Sequence, residues 1–456
     1  MYYISRWFIR INWRILKKSY RKITSVIVNI NDERQQNGLL SAFLYIIKKI
    51  KYYFLIALNF TLTLPIALII ISIKPLVEIR FVMLLSSRIG HFSANTELML
   101  LSQLDNLYSK KKIYLFYQET LVCNKQLSKM WKRVLPVIPF PRICREIDNT
   151  LCFLLGEKYK KNPIKAFESC LLVRDHEQLL EKRDTPYLYF SPREIHKAQI
   201  LLSEMGLQKN QPFVCLLVRD AGYLDYRAPG MFMHHNCRNA DIDNYYKAVL
   251  FLAMKGYMVF RMGKHVEKPL NVKHPNVIDF ANHPKRCDLL DVYLAAHCQF
   301  IISTSTGLDG ITQLFKKPLL FTDLLPIFRQ IQFWYPCKLF IPKKIRYRDT
   351  KQILTFKELE KYFTNVKDVT MQKTLEEKNT EIIANTPEEI LDAVIEMEMH
   401  VNNRWIETDE NKQLQKIFLE KNFPTTIFNE ELRYKLDKIK VKIGSKFIQE
   451  NQTLCE

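Results

Sequence analysis

The sequence predicts an α/β protein of two lobes, each a parallel sheet covered by helices, with membrane-associated helices before them and further helices after. Three observations carry this reading. Short apolar runs alternate with helical periodicity across residues 79–322. The runs are unbroken, as expected of strands buried on both faces. Glycine-bearing and polar turns recur at their carboxyl ends, where open parallel sheets hold their ligands. With 456 residues there is chain for two or three domains, and the boundaries fall at 1–78, 79–190, 191–365 and 366–456.

Residues 1–78 form the membrane-associated part. Over 3–22, Ile4, Phe8, Ile11 and Ile15 recur at helical spacing, while Arg6, Arg10, Arg14, Lys17 and Arg21 take another side. Trp7 and Trp13 suit the boundary between headgroups and tails. This is the pattern of an interfacial helix on anionic lipid, and a surface helix with a solvated basic face shares it. Residues 53–73 are strongly apolar and, at about 1.5 Å per residue, could cross a hydrocarbon core of about 30 Å. They lie too far from the start for a cleaved signal peptide. A single crossing would keep the basic first 51 residues inside and send everything after Lys74 outside. Asn59 and Pro65 also interrupt the run. A re-entrant or half-inserted helix is therefore expected, with a buried core helix as the alternative.

In the first lobe, residues 79–85 are a strand-like run. Gly90 makes the turn after it, and Ser93 or Asn95 is placed to cap a helix to about residue 104. A strand at 112–116 and a helix at 125–134 follow, and the lobe extends to about residue 183. Ser191-Pro192-Arg193-Glu194 opens a helix to about residue 205, with proline in its first turn and glutamate three residues after serine. It stands between the lobes as a hinge element.

The second lobe reads as strand 213–218, helix 241–255, strands 257–261 and 277–280, helix 289–297, strand 300–303, helix 307–315 and strand 319–322. Beyond residue 365 the chain becomes polar, with helices near 386–399 and 409–421 that pack back on the lobes.

Composition narrows the partners. The chain is 48% hydrophobic and 25% charged, with only 11 glycines, which excludes linker-rich and glycine-repeat architectures. A net charge of +21 fits nucleic acid, anionic lipid or a phosphorylated substrate. Zinc-finger spacing and RNP-type motifs are absent from the sequence, so nucleic acid is disfavoured. Eleven Lys and Arg fall within residues 1–51 against Asp32 and Glu33, which points that end to a membrane surface. The ten cysteines are scattered without a CxxC pair and read as reduced thiols of a cytoplasmic protein.

Candidate site residues cluster at the strand ends. Ser303, Ser305, Thr306 and Gly307 lie in STSTGLDG, which follows a strand and opens a helix; hydroxyls and N–H groups there can seat phosphate, or simply make the turn. Arg219, with Asp220 and Tyr223 after it, can grip a diphosphate or pair with Asp220 to hold the strand end. Arg261 and Gly263 repeat the arrangement at the next strand. His235, Arg238 and Asn239 are suited to line a sugar or acceptor cleft; two adjacent histidines without further ligands do not make a metal site. In the first lobe Arg88, Gly90, Asn95 and Glu97 lie toward the acceptor side. His91 is a candidate general base or a structural histidine.

Taken together, RIGHFSANTEL (88–98), NKQLSKMWKRV (124–134), VCLLVRDAGYLDY (214–226), CRNADIDNYYKA (237–248), GYMVFRMG (256–263) and DLLDVYLAAHCQFIISTSTGLDGI (288–311) resemble a mostly uncharacterised family of bacterial glycosyltransferases associated with surface-polysaccharide assembly. The resemblance implies a GT-B fold of two Rossmann-like lobes, with a nucleotide-sugar bound by the second and no metal or other cofactor needed. The Val218-Arg219-Asp220 element is also similar to the HxRxxD-type motif of GT-B fucosyltransferases, which implies a diphosphate contact for Arg219. Leu217 stands where that motif has histidine, which separates this chain from a fucose donor. The membrane-associated segment suits a lipid-linked glycan acceptor at the cytoplasmic face of the membrane. The rival reading is a non-catalytic membrane-associated scaffold that keeps the fold.

Overall fold

The computed structural model describes residues 2–107, 111–156, 159, 183, 185–325, 338–363, 366, 368–421 and 441–455. They form two compact units, residues 1–78 with 143–160 and residues 79–142 with 161–456.

The first unit is a helix pair. Helix α1, Tyr2–Ser72, is helical throughout except at Gly38, whose φ of 84° is open to glycine without strain. The amino-terminal stretch is thus two helices that meet at a kink at Gly38, two in number as expected from sequence but longer than 3–22 and 53–73, and Pro65 lies inside the second without ending it. From Gly38 to Ser72 it is long and apolar enough to cross a membrane, and its most apolar stretch is only 11% buried. That exposure excludes the core-helix alternative for this stretch. The side-chain faces read for residues 3–22 lie outside the described residues. Thr63 and Ala67 are buried on one side of α1, where the hydroxyls of Thr63 and Thr150 meet at 2.7 Å.

The second unit holds two sheets. The smaller has three strands in the order β1 (Glu78–Leu84), β2 (Lys112–Gln118), β3 (Val137–Ile138), with β2 and β3 parallel. After β1 the chain is already helical at Ile89, widens into a π turn at His91–Asn95 and continues as α2, Thr96–Leu107. Ser93 and Asn95 are therefore not helix caps. The Ser93 hydroxyl donates back to the Ile89 and Gly90 carbonyls at 2.8 and 3.1 Å, because the helix starts as soon as Phe92 and its followers can be buried. Helix α3, Lys125–Val134, is capped by Asn124, whose Oδ1 accepts from the Leu127 N–H at 2.8 Å. Helix α4, Pro141–Leu155, then carries the chain into the first unit. Helix α5, Pro192–Ser203, begins with the expected reciprocal cap between Ser191 and Glu194.

The larger sheet has seven parallel strands: β4 (Phe213–Leu217), β5 (Met258–Arg261), β6 (Val277–Ile278), β7 (Ile301–Ser303), β8 (Leu319–Leu324), β9 (Leu339–Pro342) and β12 (Lys442–Ile443). Their spatial order is β12-β9-β8-β7-β4-β5-β6. Because β4, first in sequence, lies inside the sheet, the winding direction reverses between β4 and β7. In open sheets wound this way, ligands bind at the carboxyl ends of the two strands flanking such a reversal. Every residue of β4, β5, β7, β8 and β9 is buried, which is why these strands read as unbroken apolar runs. Among the helices of this unit are α6 (Gly222–Arg227), α7 (Tyr246–Met254), α8 (Asp288–His297) and α9 (Asp309–Leu314).

The expected helix at 241–255 is divided, with a 3-10 turn at Ile242–Tyr245 before α7. The expected helix at 307–315 shortens to α9. The carboxyl stretch, expected to be helical, also supplies strands. There β11 (Thr380–Ile383) pairs antiparallel with β10 (Lys344–Tyr347), which precedes that stretch, and β12 extends the large sheet at its edge. A two-residue strand has no periodicity of its own to read, so its partner β9 defines it. Helices α10 (Phe356–Phe363), α11 (Asp368–Glu377), α12 (Pro387–Val401), α13 (Asp409–Lys421) and α14 (Ser445–Glu450) complete the unit.

Candidate functional site

The carboxyl ends of β4 and β7 are tied together directly. The Arg219 N–H donates to Thr304 Oγ1 at 2.8 Å, and the Arg219 carbonyl accepts from the Ala240 N–H at 2.9 Å. The loop after β7 then folds tightly. Ser305 has φ 64°, a left-handed conformation that costs a residue with a side chain about 1–3 kcal/mol unless its surroundings impose it. Arg238 is one such constraint, since its Nη2 donates to the Ser305 carbonyl at 2.9 Å and to Ser305 Oγ at 3.4 Å.

Asp309, wholly buried at the start of α9, accepts from the Thr306 N–H at 2.6 Å and from Thr306 Oγ1 at 3.3 Å. Burial raises its carboxyl to about 7, against the opposing pull of Ser303, Thr306 and the Arg238 charge. The Thr306 N–H, expected to seat a phosphate, is thus already committed to Asp309. The structure brings Ser303, Ser305, Thr306, Gly307 and the Arg219 backbone to one place, and the Arg238 guanidinium supplies positive charge there.

The glycine loop after β1 reaches the same place. A Cβ on Gly90 would lie 3.0 Å from both Cα and O of Gly307, and one on Gly310 would lie 2.5 Å from Ser93 Oγ. The two backbones can approach only because these positions lack side chains. Arg227 adds a second link, donating to the Ser87 carbonyl at 3.2 Å. Beside this contact Arg88 is exposed and His91 half-buried. The His91 Nδ1 lies 3.2 Å from the Asn95 amide nitrogen. With that nitrogen donating, the neutral ring carries its proton on Nε2; a base at Nε2 needs the amide turned over so that Oδ1 accepts from Nδ1–H. Asn95 and Glu97, expected to line the cleft, are 2% and 3% exposed. They face inward because α2 is buried on this side. Burial raises the Glu97 carboxyl to about 7.

The carboxyl end of β5 is organised differently. Arg261 is 0% exposed, with its guanidinium 3.6 Å from Asp220 and 3.3 Å from Asp279. Asp220 in turn accepts from the N–H groups of Gly222 and Glu267 at 3.1 and 3.0 Å. Gly263, at φ 152°, has no room for a Cβ, which would lie 2.7 Å from Val266 Cγ1; its carbonyl accepts from Arg286 Nε at 2.7 Å. Arg261, Asp220 and Gly263 therefore hold the loop at 263–267 in shape and do not present charge to a ligand. Tyr223 lies 6.2 Å from the His265 ring, against which Tyr226, 69% exposed, stacks at 3.7 Å.

His235 lies beside His234, ring centres 4.1 Å apart. The Asn239 carbonyl accepts from Lys343, which also donates to the Cys237 carbonyl at 3.2 Å. Lys343 is buried, and burial holds its pKa below the ordinary lysine value. It thereby anchors the loop that carries His235 and Arg238. Thr304 and Asp309 lie in the STSTGLDG stretch without a role of their own in the sequence reading, while Arg227 and Lys343 stand outside every candidate stretch; a lysine directly after the apolar run ending at Pro342 is the signal that marks Lys343. Among the described residues, no group of three or more His, Cys, Asp or Glu is placed to hold a metal ion.

No protein-family model matches the chain, and no curated protein does. Solved structures with some likeness are glycosyltransferases. The E. coli ADP-heptose lipopolysaccharide heptosyltransferase II is 12% identical, over 53% of this chain and 84% of that one, with a TM-score of 0.31. A family 9 glycosyl transferase of Veillonella parvula is 10% identical, over 66% and 97%, with a TM-score of 0.34. The E. coli heptosyltransferase WaaC, solved with ADP, is 12% identical, over 53% and 86%, with a TM-score of 0.28. At these scores the likeness carries no argument, and function is read from the site.

Proposed function

We propose that the chain is a glycosyltransferase of the two-lobed GT-B type, moving a sugar from a nucleotide-sugar to a lipid-linked glycan acceptor at the cytoplasmic face of a membrane. The observation that carries the reading is the cluster at the switch point. Arg219 and Arg238 flank a hydroxyl-rich loop whose shape is fixed by Thr304, Ser305 and Asp309, next to the glycine loop of the smaller sheet. Fixed cations at such a switch point suit a diphosphate leaving group, whose charge grows as the glycosidic bond breaks. In this mechanism Arg219 and Arg238 neutralise the departing nucleotide without a metal ion. The acceptor hydroxyl enters past Arg88, and His91 Nε2 takes its proton with the Asn95 amide turned so that its Oδ1 accepts from Nδ1–H. The exposed ring of Tyr226 on His265 offers a flat face beside the donor crevice.

The test is a thermal-shift screen of detergent-solubilised protein against UDP, GDP, ADP, CMP and dTDP, with and without Mg²⁺. A ligand bound only by the native state raises the melting temperature. A shift with one nucleotide that is the same without Mg²⁺ supports the transferase. Folded protein that shifts with none of them is the result expected of the scaffold.

A further inference from the structure

Beyond Gly38, α1 is long enough to cross a bilayer, yet the same length can lie along one. Its two sides differ. Ile47, Ile50, Phe54, Leu58, Leu62 and Ile69 recur at steps of three, four or seven residues, so they line one side, and all six are exposed. The opposite side is mixed, carrying Tyr45, Lys49, Tyr52, Asn59 and Thr63 interleaved with Ile56, Ala67 and Ile70 at the same spacing.

It is on this second side that α4 packs. Thr63 meets Thr150 at 2.7 Å, and Phe60 meets Phe153 edge-on at 5.3 Å. Residues 60 and 63 thus pair with 153 and 150, so the helices run antiparallel. Helix α4 buries Cys144, Ile147, Thr150 and Leu151, and leaves Arg145, Glu146, Asp148 and Asn149 wholly or partly open. The pair therefore has an apolar outer face, from α1, and a charged outer face, from α4.

We infer that α1 beyond Gly38 lies in the plane of an anionic membrane surface, with its apolar side at the acyl boundary and α4 as a roof toward water, and does not cross. A crossing would take Arg145, Glu146 and Asp148 into hydrocarbon beside Thr63, where charge is strongly disfavoured. The in-plane placement keeps them wet, and Lys51, which stands within the apolar side between Ile47 and Phe54, can reach the headgroups along its stem. The eleven Lys and Arg of residues 1–51, against two acidic residues, supply the attraction to anionic lipid. An in-plane helix also leaves the basic arm and the second unit on one side of the membrane. The inference goes beyond the transferase reading and does not depend on it; a failure to bind nucleotide would leave it intact.

Two measurements on the full chain test it. Sealed membrane vesicles of one known orientation are treated with a membrane-impermeant amine reagent, and labelled lysines are located by mass spectrometry. Lys17, Lys22 and Lys446 are expected to be labelled together, before detergent is added. Labelling of one set only after detergent means that α1 crosses and overturns the inference. In the second, the protein is bound to phosphatidylethanolamine–phosphatidylglycerol vesicles carrying a diazirine on the acyl chain. Cross-links are expected on the peptides spanning 47–69 and absent from 145–149. Cross-links on 145–149 at equal yield, or none on 47–69, also overturn it.

Discussion

The carboxyl ends of β4 and β5 each deliver an arginine from a buried parallel strand, and the two arginines meet different fates. Arg261, at the end of β5, finds Asp220 and Asp279 within 3.6 Å and is sealed from solvent. Arg219, at the end of β4, is half-buried, and its backbone is fixed to the β7 loop through Thr304. Strand position alone does not make an arginine a ligand-binding group. For Arg261 what decides is that carboxylates reach it, since Asp220 follows β4 and Asp279 follows β6, the strands on either side of β5. At the end of β4 the neighbouring β7 loop binds the Arg219 backbone through the Thr304 hydroxyl.

The largest effect expected from this contrast is on stability. Arg261→Leu leaves Asp220 and Asp279 without their cation, and removing one partner of a buried pair costs about 3–5 kcal/mol. Chemical denaturation should therefore show a large loss, with Arg261→Lys intermediate; a variant as stable as the parent would break the contrast. Arg219→Ala should behave in the opposite way. It should stay folded at nearly the parental melting temperature while losing about 1.5–3 kcal/mol of nucleotide affinity, the usual worth of a hydrogen bond to a charged group. Calorimetric titration of the nucleotide identified by the screen would read this, and unchanged affinity would remove Arg219 from the donor site.

Gly90→Ala sharpens the comparison from the other sheet. Its methyl would lie 3.0 Å from the Gly307 backbone, and overpacking against atoms that cannot rotate away costs about 1–3 kcal/mol. A lowered melting temperature is expected together with weaker nucleotide binding, since the β7 loop must shift. Loss of stability with binding intact would mean that the loop's position does not matter to the ligand.

The smallest effect is that of pH through Asp309. Its carboxyl rises from an ordinary 3.8 to about 7 on burial, so between these values the native state holds a proton that the unfolded chain has lost. Stability therefore falls as pH rises from about 4 to about 7, and below that window the group contributes no slope. Asp309→Asn should flatten this dependence, leaving the slopes of Glu97 and Asp291, which burial also raises to about 7. Melting curves across the window would show it; identical slopes in parent and variant would rule Asp309 out as a titrating group.

How much was legible follows the range of each interaction. The strands 213–217, 258–261, 301–303 and 319–324, the cap at Ser191 and Glu194, and helix 125–134 are signalled by neighbours in the chain, so periodicity and capping chemistry suffice to find them. The sequence also determined the polar character of the strand ends and the concentration of basic charge in the first 51 residues. Only the tertiary structure decided the rest. The π turn at His91–Asn95 depends on burial against α3, where the Trp131 ring N–H donates to the Phe92 carbonyl at 2.9 Å. The fate of Arg261 rests on Asp279, 18 residues away, and the commitment of the Thr306 N–H rests on a buried Asp309. The mixed side of α1 acquires its meaning from Thr150, 87 residues further along the chain. Contacts of that reach leave no periodic trace, because their partners are chosen by the packing of whole elements and not by local spacing.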